Sequence, residues 1–289
     1  MAQIEFEMRV QPSGRSMLAE SPVWDAETGD WWWVDIPDRQ ILRRPGESDE
    51  VETWDTPEET GFIVLTDQGP AAGMETGIYA FDPRWARFDR MVAFDDPGCR
   101  FNDATVDATG RLWASTMHKA AEPGRGRLHC VGPGLNLHMV SDGLTIPNGL
   151  AHDTAGGRLF WSDSYPEVQT IWTAPLNLTT SALGAATVFA KTTDLPGRPD
   201  GAAMDADGNY WIAAVDGGEI YVFSADGTLA HRHKAPVQFP TKIGFGGPDG
   251  RGIALTSKAD AQSGGYLACA TLPTAYACGI PMPRWVPGA

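Results

Sequence analysis

The stretch AAMDADGNYWIAAV, residues 202–215, holds two short apolar runs joined by a turn of Asp and Gly. Tyr, Trp, Ile and Val favour extended backbone, while Asp and Gly suit a tight reversal. The stretch therefore reads as a β-hairpin. Its pattern occurs five more times, as SPVWDAETGDWWWVDI (21–36), FIVLTDQGPAAGM (62–74), ATVDATGRLWASTM (104–117), GLAHDTAGGRLFWSDS (149–164) and IGFGGPDGRGIALTS (243–257). The glycines closing the six turns are Gly29, Gly69, Gly110, Gly157, Gly208 and Gly250, spaced by 40, 41, 47, 51 and 42 residues.

A further apolar run follows each hairpin: RQILRR, GIYAFDP, RLHCVGP, TIWTAPL, EIYVFSA and GYLACAT. Helical periodicity is hard to find, because Gly or Pro interrupts nearly every candidate window. Six units of this length, each with several strands, match the blades of a β-propeller. A blade cannot bury both faces alone, so six pack radially around a channel. IEFEMRV (4–10) precedes the first unit and is expected to supply the outer strand of the last blade, closing the ring. A solenoid would need capping units, and none is evident. The expectation is an all-β, six-bladed propeller, one domain over residues 1–289.

The formal charge of −15 argues against nucleic acid or an anionic membrane as partner. MAQIEFEMRV carries no basic segment followed by an apolar run, so no signal peptide is expected. No stretch approaches the roughly 18 apolar residues of a membrane span. The four cysteines, Cys99, Cys130, Cys269 and Cys278, lack CxxC spacing. They read as reduced, packed thiols of a cytoplasmic protein.

In a propeller the innermost strand of each blade lines the channel, so equivalent positions converge near the axis. Counting back from the turn in each unit selects Glu20, Gly61, Asn102, Asn148, Asp200 and Lys242. Any one of these alone would pass for a turn former or a surface residue. At a shared phase they put four oxygen-bearing side chains and one cation at one mouth. Clustered carboxylates and amides stay unsatisfied unless water or a metal serves them. Glu20, Asn148 and Asp200 offer oxygen ligands, the preference of hard cations such as Ca²⁺, Mg²⁺ or Mn²⁺. A water-filled polar channel is the plainer alternative.

At these residues the chain resembles the SMP-30/gluconolactonase/regucalcin family, whose members are six-bladed propellers. AESPVW (19–24), RFNDATVDATGRLWASTM (100–117), IPNGLAHD (146–153) and RPDGAAMDADGNYWIA (198–213) carry the resemblance, in family order. It implies one divalent cation on Glu20, Asn148 and Asp200, and substrate contacts from Arg100 and Asn102. Two features depart from the pattern. TMHKAAEPGRG (116–126) places His118, Lys119 and Ala120 where some members carry a substrate-contacting Glu, with Glu122 slightly beyond. Lys242 sits at an axial position where the related stretches have an acid or an amide.

The resemblance implies opening of a sugar lactone (an aldonolactone) to the aldonic acid, in carbohydrate catabolism. A cation in this site would polarise the lactone carbonyl. Calcium is favoured by the oxygen ligands, and an open three-ligand site could also take Zn²⁺, Fe²⁺ or Mn²⁺. Asp200 is the candidate general base as well as a ligand. Asp103 is expected to orient Arg100 or its loop. His118, Lys119 and Lys242 form a candidate positive rim for an anionic group on the substrate. No GxSxG elbow or HExxH motif is present, and HRHK (231–234) reads as a solvated turn. A metal propeller acting on phosphotriesters or other esters, and a non-enzymatic calcium-binding or interaction propeller, are the rival readings.

Overall fold

The computed structural model describes residues 7–10, 15–46, 48 and 50–289. Among these, the strands form six antiparallel sheets arranged as the blades of a propeller. Blade 1 runs Ala19–Asp25, Asp30–Asp35, Gln40–Arg44 and Glu52–Asp55 from axis to rim. The inner strands of blades 2 to 6 are Phe62–Thr66, Cys99–Val106, Pro147–Asp153, Arg198–Met204 and Pro240–Gly246. Blade 4 carries an additional short strand, Ala182–Leu183, beside its third. Arg9 and Val10 pair with Cys269 and Ala268, so the ring closes with a strand from the N-terminal side, as expected. Of the rest of that predicted strand, Glu7 and Met8 are not strand, and residues 4–6 lie outside the described residues.

The recurring turn sequence has a local cause. In blade 3 the Asp107 carboxylate accepts the backbone N–H groups of Thr109 and Arg111, at 2.8 and 3.2 Å, and the Trp113 indole N–H at 2.9 Å. Asp205 repeats this in blade 5 with Asp207, Asn209 and Trp211. One aspartate thus ties the reversal and anchors the large side chain of the next strand. The apolar residues then fill six clusters, one between each pair of neighbouring blades. This radial core is why a single blade would not be stable alone.

Burial falls from axis to rim. Cys99–Val106 is buried at every residue, whereas the outer strand Arg87–Ala93 is mostly exposed or half-buried. HRHK belongs to such an outer strand, Leu229–Lys234, and not to a turn. His233 is buried there, stacked on Trp211, with a 3.0 Å hydrogen bond to the Tyr276 hydroxyl.

The segment after the last strand crosses the hairpin face of the ring, opposite the mouth. Cys278 and Ile280 bond Ala206 and Met204 of blade 5, and Trp285 and Val286 bond Leu65 and Gly110 of blades 2 and 3. Arg284 reaches Asp25 of blade 1 at 2.7 Å. Ile280, Pro281, Met282 and Pro283 thereby close the lower channel, leaving a cavity of about 50 Å³ above them.

Candidate active site

Every inner strand but the second breaks its ladder with a bulge near the mouth, between Glu20 and Val23, Phe101 and Ala104, Asn148 and Ala151, Pro199 and Ala202, and Pro240 and Ile243. A bulge re-aims side chains that regular pleating would turn into the sheet. Two of these bends need positive φ. Ser21 has φ 57° directly after Glu20, and Gly149 has φ 62° directly after Asn148. A left-handed serine is uncommon, and its neighbours hold it: Ser21 Oγ and the Ile63 backbone N–H share a 3.1 Å bond. At Gly149 an added Cβ would come within 2.4 Å of the Tyr210 hydroxyl. The "NG" of IPNG is therefore a bulge inside a strand and not a turn.

Blade 2 contributes no side chain at this level. A Cβ on Gly61 would lie 2.1 Å from the Phe101 carbonyl oxygen, so the close approach of blades 2 and 3 requires glycine.

Glu20, Arg100, Asn102, Asn148 and Asp200 are all between 6% and 9% exposed. Asn102 braces the group. Its Nδ2 donates to Asn148 Oδ1 and to the Pro147 carbonyl, both at 2.9 Å, and its Oδ1 accepts Arg100 Nη1 at 2.7 Å. Asn148 Nδ2 in turn donates to Ser164 Oγ at 2.9 Å, and Ser164 donates to the Pro199 carbonyl beside Asp200. Both donors of the Asn102 amide are thus engaged within the protein, and its Oδ1 keeps a second lone pair. Arg100, whose Nε lies 3.5 Å from Glu59, is the partner with donors left for a ligand.

The two acids stand in a hostile field. Burial, and then the charge of Asp103, push the Glu20 carboxyl up to about 7, against the pull of Lys242. Burial, and then the charge of Glu20, hold Asp200 well above the usual carboxylate range. Glu20 accepts one backbone N–H, from Ser21 at 2.9 Å. Among the described residues no hydrogen bond reaches the Asp200 carboxylate.

Lys242 is not where the repeat count put it. Blade 6 has four residues between its bulge and its hairpin, Ile243–Gly246, where blade 5 has three, Ala202–Met204. Counting back from the turn therefore lands one residue too deep, and Thr241 is the register mate of Asp200. Lys242 is the second bulge residue, level with Asp103 of the opposite blade. Its ammonium ends on Asp103 Oδ1 and on the Ala104 carbonyl at 3.0 Å, and it is 5% exposed. Lys242 therefore balances a buried carboxylate in this structure. Asp103 accepts the backbone N–H of Leu150, in the inner strand of blade 4, at 2.8 Å, and its charged partner is Lys242 and not Arg100.

Lys119 is also paired, lying 3.3 Å from Glu59 and 3.1 Å from Glu75. His118 closes the second strand of blade 3 with Glu122 at 3.7 Å. Sequence reasoning missed Glu59 and Glu75, which precede and follow the first hairpin of blade 2 and carry no motif.

The whole is a six-bladed propeller with an acid-lined axial mouth. Residues 18–259 match the SMP-30/Gluconolactonase/LRE-like family model, and the chain belongs to that family. It is 31% identical over 257 residues to the 6-deoxy-6-sulfogluconolactonase of Pseudomonas putida, covering 88% of this chain and 87% of that one. It is 30% identical over 248 residues to the pentonolactonase XacC of Haloferax volcanii, covering 83% and 81%. Its fold matches the crystal structure of a calcium-binding protein, regucalcin, from Agrobacterium tumefaciens, with a TM-score of 0.91 and 24% identity over 99% and 100% of the two chains.

Proposed function

We propose that this protein is a metal-dependent lactonase that opens a sugar lactone to the aldonic acid in the carbohydrate catabolism of the cytoplasm. The observation that carries the reading is Asp200: a buried carboxylate beside a second acid, with no donor among the described residues. Such a group is costly unless a cation completes it. Glu20, Asn148 and Asp200 fit that cation, since all three donor atoms are oxygens and the Asn148 Oδ1 keeps a second lone pair beside the Asn102 bond. Calcium suits this ligand set, with Zn²⁺, Fe²⁺ and Mn²⁺ as the other candidates. The curated relatives named above are lactonases, which supports the same chemistry. The four free cysteines suit a reducing compartment.

When bound, the cation would polarise the lactone carbonyl and offset the charge that grows on its oxygen. Arg100 donates from the guanidinium edge that Asn102 and Glu59 leave free, and so orients the ring. Burial of the mouth limits competing water. An Asp200 oxygen not directed at the cation accepts the proton of the attacking water. Asn102 keeps Arg100 and Asn148 in register, and the free lone pair of its Oδ1 accepts a substrate hydroxyl.

The test is hydrolysis of a panel of aldonolactones, with phosphotriesters and simple esters alongside, before and after chelation. Lactone turnover that disappears with chelator and returns with a divalent ion is the expected result. Turnover untouched by thorough chelation, or confined to phosphotriesters, overturns the reading. Replacing Arg100 with Met should raise KM and lower kcat/KM at unchanged metal content.

A further inference from the structure

Four basic side chains in or beside the mouth each end on a carboxylate, and one of them, Arg198, whose charge acts on Asp200, lies 2.7 Å from Asp216. Lys242 is held by Asp103, below the level of the acids. Arg100 and Lys119 share a single partner: Glu59 gives Oε2 to Arg100 Nε at 3.5 Å and Oε1 to Lys119 Nζ at 3.3 Å. Glu75 takes the other side of Lys119 at 3.1 Å and accepts the Glu59 backbone N–H at 3.3 Å. Glu59, Lys119 and Glu75 therefore close a ring of contacts around the cation. Arg39, a further cation nearby, is exposed, and its field falls on Glu75.

We propose that Glu59 sets the substrate class, selecting lactones with uncharged hydroxyls over those bearing a sulfonate or phosphate. The inference rests on the lactonase reading. An incoming anion would meet Glu59 and Glu75, with Glu20 and Asp200 beneath. To reach Arg100 or Lys119 it must break their pairs and leave a half-buried carboxylate without a partner. A hydroxyl meets no such obstacle. It donates to a Glu59 oxygen and accepts from the free edge of Arg100, matching both charges at once. Glu59 thus acts on specificity mainly by repulsion, which is how a site rejects a close analogue of its ligand. The mouth differs in this from one built around an unpaired cation.

The experiment compares kcat/KM for an uncharged aldonolactone and the same lactone carrying a 6-sulfonate. In parallel, calorimetry measures binding of gluconate and 6-phosphogluconate, which need no turnover. The wild-type protein should prefer the member of each pair that lacks the charged 6-substituent by about tenfold or more. Glu59→Gln should move both ratios toward the anion by about tenfold, with melting temperature nearly unchanged. Lys119→Met, which leaves Glu59 with Arg100 alone and Glu75 without its lysine, should move them the opposite way. Equal or better use of the sulfonate by the wild type would overturn the inference, and so would ratios indifferent to both substitutions. If neither lactone is opened, the lactonase reading fails on its own, and the calorimetric ratios decide the role of Glu59.

Discussion

The ammonium of Lys242, from blade 6, ends on the carboxylate of Asp103, from blade 3, the blade directly across the axis. The pair joins opposite sides of the ring beneath the two acids. Both residues are the second member of their strand's bulge, so they arrive at equal depth. Asp103→Asn or Lys242→Met alone strands a buried charge and should cost about 3–5 kcal/mol in urea melts. The double variant should recover most of that loss, a coupling that a cycle reads directly. Cation affinity should move with sign: weaker in Asp103→Asn, where the lysine repels, and tighter in Lys242→Met. Additive losses, or affinities that do not part, would contradict the pairing.

Asp200→Asn should stabilise the metal-free protein while removing the stabilisation that added cation gives. Asp200 lies in the folded chain without a donor, with its carboxyl held up by burial and by Glu20. An amide of the same shape relieves that cost. In the wild type, cation at 100 times its Kd should add about 2.7 kcal/mol. A variant that is less stable without metal, yet still gains from it, would remove Asp200 from the ligand set.

Gly61→Ala tests the packing of blades 2 and 3. The new methyl would sit 2.1 Å from the Phe101 carbonyl oxygen, which is backbone and cannot swing aside. A loss of about 3 kcal/mol is expected. Because Phe101 adjoins Asn102, activity should fall with stability. A neutral substitution would mean that the blades can part at the mouth without cost.

The contribution of two buried histidines to stability should fall on mild acidification. Burial, above all, holds His129 and His233 down to about 4, below the ordinary 6.5. The unfolded chain then binds protons that the folded chain refuses, so this contribution is full above pH 6.5 and drains away toward pH 4. Glu20 and Asp200, held above the usual range, take up protons in the folded chain over the same window and oppose that loss. Melts between pH 7 and pH 5 of the protein and of the double variant His129→Gln, His233→Gln should therefore differ, the variant losing less stability or gaining more as the pH falls.

The ring of blades was legible in the sequence because Asp107 and Asp205 each do three jobs with one carboxylate, and so mark each hairpin with the same residues. The outer strands were not. Glu52–Asp55 and Leu229–Lys234 present polar side chains to solvent, and nothing in ETWD or HRHK separates a wet strand from a loop. At the mouth, the phase of the repeats and the motifs picked out Glu20, Asn148 and Asp200. What they could not give was depth. One extra residue after the bulge of blade 6 dropped Lys242 a level, and no composition or periodicity records such an insertion. Glu59 was invisible for another reason: it enters from the segment before an inner strand, at a phase where the other repeats carry Leu18, Arg100, Ile146 and Arg198 and no acid.

The segment Ile280–Pro283 leaves the axial passage open at one end only. Such a passage loads and empties as a stack does, last in and first out. Under the proposed chemistry the ion must settle before the lactone arrives, and it cannot depart while the lactone sits above it. Saturating sugar should therefore shield the ion, slowing its capture by a chelator far more than it slows capture of an ion held on the outer rim. Queueing, and not affinity alone, would then govern how long the loaded enzyme survives when free metal is scarce.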